Sequence, residues 1–319
     1  MKYSKLIISL AIGSTLTFIS CNKEEDTIET TTNCSSCTSD QTIDQSRGAC
    51  DETLSDSPLF SHTISGNNRI ITSNCIPNHK VGLFGRVPGS LNPNAISAQS
   101  ETYTITTIPT STSSFTSLLS STGPAYSFGV LLNGVELDPI AAEPFPHEGI
   151  MDPNVNWEWN LEAINVKIGL DCNNAHVQPQ GKYHYHGAPV LYLQNLNVPS
   201  NKMTLIGYAA DGFPIYYKYA YTDANDTNST IIEMNSSYQL KSGTRPGDGE
   251  TAPCDTYNGV YSNDYEFKTS IGHLDEANGR TGKTPEYPAG TYYYLVTEDF
   301  PQIPRYFKGT PSNDFKIGR

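Results

Sequence analysis

Short runs of β-branched and aromatic residues, separated by glycine, proline and asparagine, recur through most of this chain of 319 residues. Two of the separators, Asn133-Gly134 and Asp211-Gly212, each lie between two apolar runs. This pattern is typical of β-hairpins, because Asn, Asp and Gly accept the positive φ angles of tight hairpin turns. Apolar residues at helical spacing are sparse. The pattern predicts a mainly β fold: a single compact β-rich domain, sandwich-like or irregular, with long loops and few helices.

The composition excludes several classes of protein. The chain has 21 Pro, 25 Gly and 20 Tyr, whereas only 17% of its residues are charged. This balance disfavours helical bundles and coiled coils, which are rich in charged helix formers. The formal net charge is −13, and binding to a phosphate backbone depends on Lys and Arg that neutralise phosphates. We therefore expect no nucleic-acid partner.

The first 20 residues have the features of a secretory signal peptide. Lys2 and Lys5 precede the apolar stretch Leu6 to Ile19, which is shorter than the about 20 residues that a membrane span needs. The tetrapeptide Phe18-Ile19-Ser20-Cys21 resembles the lipobox of bacterial lipoproteins, and the acidic residues 22–26 resemble an export signal to the cell surface. We therefore expect lipidation at Cys21 and a lipid anchor in the bacterial outer membrane. The protein is expected to face outward, with a periplasm-facing orientation as the alternative.

Residues 21–58 are rich in Thr, Ser, Asp and Glu and contain few large apolar residues. Such a composition buries too little surface to offset the entropy of ordering, so we interpret it as a flexible stalk that begins at the lipidated cysteine. Strand signals dominate from residue 59 onward, and no later shift in composition divides the chain. The predicted β-rich domain therefore covers residues 59–319.

Six cysteines remain when Cys21 is set aside, an even number in a chain exported to an oxidising space. Three disulfide bonds are the natural expectation, although six cysteines allow 15 pairings. The Cys34-Ser-Ser-Cys37 pair lacks the βαβ context of a redox motif and the second pair that a zinc knuckle needs, so a structural disulfide is favoured. The six are Cys34, Cys37, Cys50, Cys75, Cys172 and Cys254.

Tyrosine and histidine alternate in Tyr183-His184-Tyr185-His186. In an extended strand alternate side chains point to opposite faces, so both histidines share one face and both tyrosines share the other. Two imidazoles at this spacing can bind one metal ion through their ring nitrogens. His176 can fold back to the same ion through the turn-forming residues 177–181, and His79 and His273 are more distant candidates.

Nitrogen ligands favour zinc or copper over calcium, which prefers a shell of oxygen atoms. The alternative for the tetrapeptide is a half-buried strand with packed tyrosines and hydrated histidines. This alternative remains open on the residues alone, because the motif has no carboxylate at a fixed spacing.

Several ordered motifs around these histidines resemble the YHYH-domain proteins, which occur as secreted proteins and as lipoproteins. Together the motifs span about residues 69–307. The resemblance implies a compact, mainly β domain and no named reaction. The motifs are residues 176–186, residues 206–216, residues 71–79, Asn133-Gly-Val135 with Asp138-Pro139, and residues 274–280.

The chain departs from the pattern of this family at two positions. Ala277 stands in place of the cysteine in the family's Asp-x-Cys-Asn-Gly-Arg motif, and Cys75 stands where glycine is common. The resemblance therefore puts the usual partner of Cys172 in doubt. It makes a pairing of Cys172 with Cys75 or with Cys254 the expected alternative.

Polar residues near these motifs are further candidates. Asp211 is either a turn residue or a metal ligand or general base. Asp171 is a candidate for orienting a ligand histidine through a hydrogen bond. Asp275, Glu276 and Arg280 form either a surface turn with a salt bridge or a clamp for a substrate.

Trp157 and Trp159 alternate along one predicted strand, so their side chains share a face. Exposed indoles on one face would form a platform for a sugar ring. The favoured interpretation places both in the core, where tryptophan is highly buried on average.

Three functions are compatible with these residues. The first is a histidine-based metal site without an assigned reaction. The second is a glycan- or peptide-binding surface module without metal, in which Tyr183, Tyr185 and the Asp211 turn form a groove for an extracellular polymer or a small molecule. The third is a metal-dependent hydrolase with Asp211 as its base. The common sequence signatures of nucleotide-binding proteins and proteases are absent.

Overall fold

Short strands make up most of the regular structure in the computed structural model, which describes residues 41–147 and 154–318. Within these residues the one α-helix is α1 (Val190–Asn195), and Ser262–Asp264 and Asn313–Phe315 form 3-10 helices. No helix in this described part of the chain has the length and apolarity needed to cross a membrane. The strands are β1 (Phe60–Ser65), β2 (Asn68–Ser73), β3 (Glu101–Thr106), β4 (Thr116–Ser117), β5 (Leu119–Ser120), β6 (Gly123–Pro124), β7 (Gly129–Leu131), β8 (Glu136–Leu137), β9 (Pro144–Phe145), β10 (Asn156–Asn160), β11 (Ala175–Val177), β12 (Tyr183–Tyr185), β13 (Thr204–Ala209), β14 (Pro214–Tyr217), β15 (Tyr219–Tyr221), β16 (Ile231–Glu233), β17 (Tyr238–Leu240), β18 (Tyr265–Phe267), β19 (Gly279–Gly282), β20 (Thr291–Val296) and β21 (Tyr306–Phe307).

The largest sheet has eight strands in the order β11-β12-β8-β7-β13-β14-β20-β19. It is mixed, because β12 runs parallel to β8 and β14 runs parallel to β20, whereas the other neighbours are antiparallel. A second sheet has the order β1-β2-β3, and the remaining strands form two-stranded pairs. The prediction of a mainly β domain with few helices is confirmed.

Both predicted hairpins are present in the large sheet. Asn133-Gly134 connects β7 to β8, and Asp211-Gly212 connects β13 to β14. Gly134 has a φ of 81° and Gly212 has a φ of 93°. A Cβ at Gly212 would also lie 2.4 Å from the carbonyl oxygen of Thr106. Glycine is therefore required there both by the turn and by the close approach of a neighbouring chain segment.

Tyrosine supplies much of the core in a chain of modest apolar content. Eight tyrosines have less than 2% of their surface exposed: Tyr103, Tyr183, Tyr185, Tyr192, Tyr216, Tyr261, Tyr293 and Tyr294. A buried tyrosine contributes a large apolar ring at low cost when its hydroxyl has a partner. Buried carboxylates are the partners of three of the eight: Tyr103 donates to Glu136 at 2.6 Å, Tyr183 donates to Asp171 at 2.8 Å and Tyr294 donates to Asp211 at 2.5 Å.

The domain begins earlier than the composition predicts. Residues 41–58, assigned above to the flexible stalk, are bonded to the domain: Gly48 N donates to Leu170 O at 2.9 Å, and Glu52 and Val81 exchange backbone hydrogen bonds at 3.0 Å. Leu54 also packs against the main core. Backbone pairing, a disulfide and the packing of Leu54 attach this polar segment to the domain. The predicted signal peptide and the rest of the stalk lie outside the described residues.

The cysteine pairing differs from both expectations. Cys172 is bonded to Cys50, and not to Cys75 or Cys254. Cys75 is a free thiol, buried beside the hydroxyl of Tyr103, so the expected three disulfides cannot all form. Cys254 is also disulfide-bonded. The pair Cys50–Cys172 forms because the bridge between Gly48 and Asp171 brings the two segments together. Cys34 and Cys37 lie outside the described residues.

Candidate metal centre

Three histidines converge at the edge of the large sheet. Strands β11 and β12 are antiparallel, and their register places His176 opposite His184. His186 follows on the same face as His184, as the alternation predicts. The Nε2 atom of His186 lies 3.0 Å from the Nε2 atom of His184 and 3.0 Å from that of His176. One ring nitrogen from each residue lies within 4.8 Å of the other two.

The orientation of two rings is set by backbone carbonyls. His176 Nδ1 lies 3.1 Å from Ile168 O, and His184 Nδ1 lies 3.3 Å from Lys182 O. A carbonyl only accepts hydrogen bonds, so Nδ1 carries the proton in the neutral ring and Nε2 presents its lone pair to the centre of the cluster. This tautomer is the one in which Nε2 can bind a metal ion.

Burial keeps the three imidazoles neutral. His184 is 2% exposed and His186 is 3% exposed. Burial, followed by the neighbouring His176, holds the pKa of both His184 and His186 well below its usual value. Burial also lowers the pKa of His176. Neutral imidazole is the form that ligates metal.

Two of the three separations between the nitrogens are close to those around a metal ion. Two ligands at about 2.0–2.1 Å from zinc in a tetrahedral site are separated by about 3.4 Å. The observed 3.0 Å separations are close to this value. One proton on His186 Nε2 could be donated to His184 or to His176, but not to both at once. A cation at the centre would satisfy all three lone pairs together.

The histidines line a cavity of about 340 Å³ that also contains two carboxylates, Asp138 and Glu143. Asp138 is 4% exposed; its Oδ2 accepts from Gln178 Nε2 at 3.2 Å, and its Oδ1 is buried without a hydrogen-bond partner in the described chain. Burial, followed by the charge of Glu136, raises the pKa of Asp138 to about 8. Burial also raises the pKa of Glu143. The ligand atoms that lie within 4.8 Å of one another belong only to the three histidines. Asp138 and Glu143 therefore lie too far away to bind the same ion directly.

The sequence reasoning missed Asp138, although Asp138-Pro139 was among the motifs that carried the resemblance. Its position follows from the parallel pairing of β8 with β12, in which His184 is level with Glu136 and Tyr185 is level with Leu137. The next residue, Asp138, donates its backbone N–H to Tyr185 O at 2.9 Å. It therefore lies beside His186, across two strands that are far apart in sequence.

A family model described as "YHYH protein" matches residues 102–309. The chain belongs to the YHYH family. This match confirms the resemblance found from the motifs, and it covers every residue of the histidine cluster. No curated protein matches the chain, and no solved structure matches it.

The tyrosines of the YHYH motif lie on the opposite face of β12 and are fully buried. Tyr183 donates to Asp171 Oδ2 at 2.8 Å, and the Tyr185 hydroxyl lies 2.6 Å from His79 Nε2. His79 is thus on the tyrosine face and does not join His176, His184 and His186, contrary to its prediction as a ligand. Because both tyrosines are buried, they do not form the predicted surface groove.

Asp171 does not orient a ligand histidine. Its carboxylate accepts hydrogen bonds from Tyr183, from Gly82 N at 2.9 Å and from Asn173 N at 2.8 Å. Burial raises the pKa of Asp171. It therefore fixes the tyrosine face of the YHYH motif and the chain segments that cover it.

Asp211 lies outside the histidine cavity and is 1% exposed. Its Oδ2 accepts from Tyr294 at 2.5 Å and from Gly309 N at 2.8 Å, and its Oδ1 accepts from Phe213 N at 3.3 Å. Burial raises its pKa to about 6. These bonds show that Asp211 stabilises its turn, which was the structural alternative to a catalytic role. Asp211 is therefore not placed to act as a base at the histidines.

The three residues of the Asp-Glu-Ala-Asn-Gly-Arg turn also lie away from the histidine cavity. Asp275 accepts from Ala277 N at 3.0 Å and from Gly279 N at 3.1 Å. Arg280 donates to the hydroxyl of Tyr293 at 2.8 Å and to the carbonyl of Tyr221, and the backbone of Glu276 accepts from a tyrosine. These hydrogen bonds hold the turn. None of them joins Arg280 to Asp275 or Glu276, as the predicted salt bridge would.

Proposed function

We propose that this YHYH protein holds a transition-metal ion, zinc or copper, through His176, His184 and His186. The observation that carries the proposal is the convergence of Nε2 atoms from three neutral imidazoles, those of His184 and His186 buried and that of His176 partly buried. Backbone carbonyls orient two of these rings. A site of three nitrogen ligands favours these metals over calcium. Three protein ligands also leave a fourth position for water or a small molecule.

The proposed setting is the bacterial envelope. The signal peptide, the lipobox-like sequence and the acidic residues that follow support a lipid anchor at Cys21 and an outward-facing protein in the outer membrane, with the periplasmic face as the alternative. The Cys50–Cys172 disulfide is consistent with an oxidising space. A metal site in this location could capture metal, carry out redox chemistry or support hydrolysis.

A metal-dependent hydrolase is the second candidate function, and the carboxylate of Asp138 favours it. Asp138 lines the cavity of the three histidines, and one of its oxygens has no hydrogen-bond partner in the described chain. Water bound to zinc has a pKa near about 7, and a nearby ionised carboxylate can accept its proton during attack on a substrate. Because burial raises the pKa of Asp138 to about 8, we expect it to act in this way above pH 8. Asp138 therefore replaces Asp211 as the base to test.

Metal analysis of protein purified without chelators tests the metal site. We expect one zinc or copper ion per wild-type chain, and loss of that ion in the His184→Ala/His186→Ala double variant. His176→Ala, at a less buried position, gives a second test with less risk to folding. His62→Ala is the matched control, since His62 is an exposed histidine outside the cluster.

Circular dichroism of each variant shows whether it is folded. Equal metal content in wild type and the folded double variant would contradict the proposal. So would a wild type that binds neither zinc nor copper, even after incubation with each salt. The second result would leave a binding module without metal as the remaining interpretation.

A further inference from the structure

Two more cavities lie in sequence beside the histidine cavity. The first, of about 430 Å³, shares Ile140 with the histidine cavity. The second, of about 680 Å³, shares Ser117, Leu119 and Glu158 with the first. Because neighbouring cavities share lining residues, they adjoin one another. We call the two cavities beyond Ile140 the aromatic cleft.

Five aromatic side chains line the aromatic cleft: Trp157, Tyr238, Tyr265, Phe300 and Tyr306. The rings of Tyr265 and Phe300 are stacked with their centroids 3.9 Å apart, and Tyr238 meets Phe300 edge-on at 5.3 Å. These contacts hold the rings in place before any ligand binds. Rigid aromatic rings lose little entropy on binding, which is the property of a built recognition surface.

Trp157 extends this surface into the second cavity. Its indole lies against Gly123, where an added Cβ would come within 3.1 Å of the ring. Trp157 remains half-buried, whereas Trp159 is 5% exposed and belongs to the core. The preferred interpretation of both tryptophans as core residues is therefore confirmed for Trp159 and is wrong for Trp157.

Arg305 lines the first cavity with a guanidinium group that is bonded to the protein. It is 7% exposed; its Nη2 donates to Glu162 Oε1 at 2.7 Å and its Nη1 donates to Ile303 O at 3.2 Å. Its Nε is buried away from the cavity. Arg305 therefore shapes the lining and offers no free donor to a ligand.

The charges of the cleft disfavour an acidic ligand. The charge of Arg305 is balanced by Glu162, and Glu158 adds a carboxylate where the two cavities meet. The whole chain carries a net charge of −13. The remaining polar groups of the lining are uncharged hydroxyls and amides, among them Ser117, Ser262 and Asn263.

We propose that the aromatic cleft binds an uncharged polysaccharide. Aromatic faces pack against the C–H faces of sugar rings, while the hydroxyl and amide groups of the lining bond to sugar hydroxyls. A series of adjoining cavities accommodates consecutive units of a polymer. An extended peptide is disfavoured, because it is usually held by the exposed backbone of a strand edge, whereas side chains line this cleft. The proposal is independent of the metal ion.

Affinity electrophoresis of the purified full-length protein tests this proposal. The gels contain mixed-linkage β-glucan, arabinoxylan, galactomannan or dextran, and polygalacturonate serves as the anionic comparison. We expect at least one neutral polymer to retard wild type and the polygalacturonate to have no effect. Trp157→Ala is expected to weaken binding about tenfold, as is usual for a central aromatic residue. Tyr306→Ala should act in the same direction.

Two further variants make the outcome decisive. Tyr219→Ala removes a partly buried tyrosine outside the cleft and should bind as wild type does. The His184→Ala/His186→Ala variant should also retain binding, which separates the cleft from the metal site. The proposal is overturned if no neutral polymer retards wild type, or if folded Trp157→Ala and Tyr306→Ala both bind normally. The proposal is also overturned if polygalacturonate, or an immobilised casein peptide mixture, retards wild type more strongly than any neutral polymer does.

Discussion

His176 lies directly opposite His184 in the antiparallel pair of β11 and β12. The turn between the strands fixes this register, since Gln178 N donates to Lys182 O at 3.0 Å and Gly181 N donates to Gln178 O at 2.8 Å. A slip by one residue would move one histidine to the tyrosine face. The candidate metal centre thus depends on a turn that contributes no ligand.

Gly181→Ala is expected to weaken zinc binding without removing a ligand. Gly181 has a φ of 90°, and a Cβ there would lie 2.1 Å from Ser97 Oγ. We expect a loss of roughly 1–3 kcal/mol in the free energy of unfolding, from strain and from the clash. Displacement of His176 should lower the affinity for Zn²⁺ about tenfold, measured by isothermal titration calorimetry.

Gly66→Ala is the control for Gly181→Ala. Gly66 also has a positive φ, 59°, but an added Cβ would meet no atom within 4 Å. Gly66→Ala should lower the free energy of unfolding by about 1 kcal/mol through backbone strain and leave the affinity for zinc unchanged. Equal zinc affinity in all three proteins would show that the turn does not position the histidines.

Asp138→Asn is expected to separate metal binding from hydrolysis. Asp138 lies in the histidine cavity but beyond direct ligation, so the variant should retain its metal. If the carboxylate accepts a proton from bound water, hydrolysis of 4-nitrophenyl acetate or bis(4-nitrophenyl) phosphate, measured above pH 8 where Asp138 is ionised, should fall by a factor of about 10² to 10⁴. Asp211→Asn, outside the cavity, should hydrolyse these probes as wild type does. Loss of metal from Asp138→Asn would instead identify Asp138 as a ligand.

Local patterns predicted the hairpins and the shared histidine face, because each depends on neighbours in sequence. Gly134 supplies the positive φ that the Asn133-Gly134 turn requires, and the two faces of Tyr183-His184-Tyr185-His186 follow from the pleat of a strand. His176 was also found, because only a short turn separates it from His184. These features needed no knowledge of the tertiary fold.

The remaining features depend on pairings between distant segments. Asp138 reaches the histidines through the parallel pairing of β8 with β12, and Cys50 reaches Cys172 through a bridge at Gly48. His79 was misplaced because nothing in its own segment indicates which face of β12 it meets. Low apolar content likewise could not show that residues 41–58 are attached by backbone bonds and a disulfide.

Asp211→Asn should change how stability depends on pH. Burial raises the pKa of folded Asp211 to about 6, above its unfolded value near 3.8. Folding therefore favours the protonated form of the Asp211 carboxyl. The contribution of this group to the free energy of unfolding is fully present below pH 3.8 and is lost as the pH rises through 6. At about 1.4 kcal/mol per pKa unit, this loss is on the order of 3 kcal/mol.

Asparagine cannot ionise, so Asp211→Asn does not undergo this loss. The free energy of unfolding of the variant, relative to wild type, should increase from pH 4 to pH 7. Urea unfolding at several pH values, with a chelator present throughout, measures the difference. The lost acceptor for Tyr294 and Gly309 adds an offset that is the same at every pH. A difference that is independent of pH would contradict the shifted pKa.

Removing the Cys50–Cys172 disulfide should destabilise the domain and release its N-terminal segment. The bond links residues that are 122 positions apart, and closing a loop of that length restricts the unfolded chain strongly. We expect Cys50→Ala/Cys172→Ala to lose about 2–5 kcal/mol in the free energy of unfolding. Limited proteolysis should then cleave within residues 41–58 first. Cys75→Ala, which removes a buried free thiol, should leave this segment protected.

Metabolic labelling tests the lipid anchor. If Cys21 is the lipidated first residue of the mature chain, cells grown with an alkyne-bearing palmitate should yield labelled protein, and Cys21→Ala should abolish the label. Cys34→Ala is a control, because that cysteine lies in the same polar segment but does not follow the lipobox-like residues. Protease treatment of intact cells then distinguishes the two orientations, since only an outward-facing protein is digested without breaking the outer membrane. Label that persists in Cys21→Ala would exclude anchoring at this cysteine, whereas labelled protein that resists the protease would favour the periplasmic face.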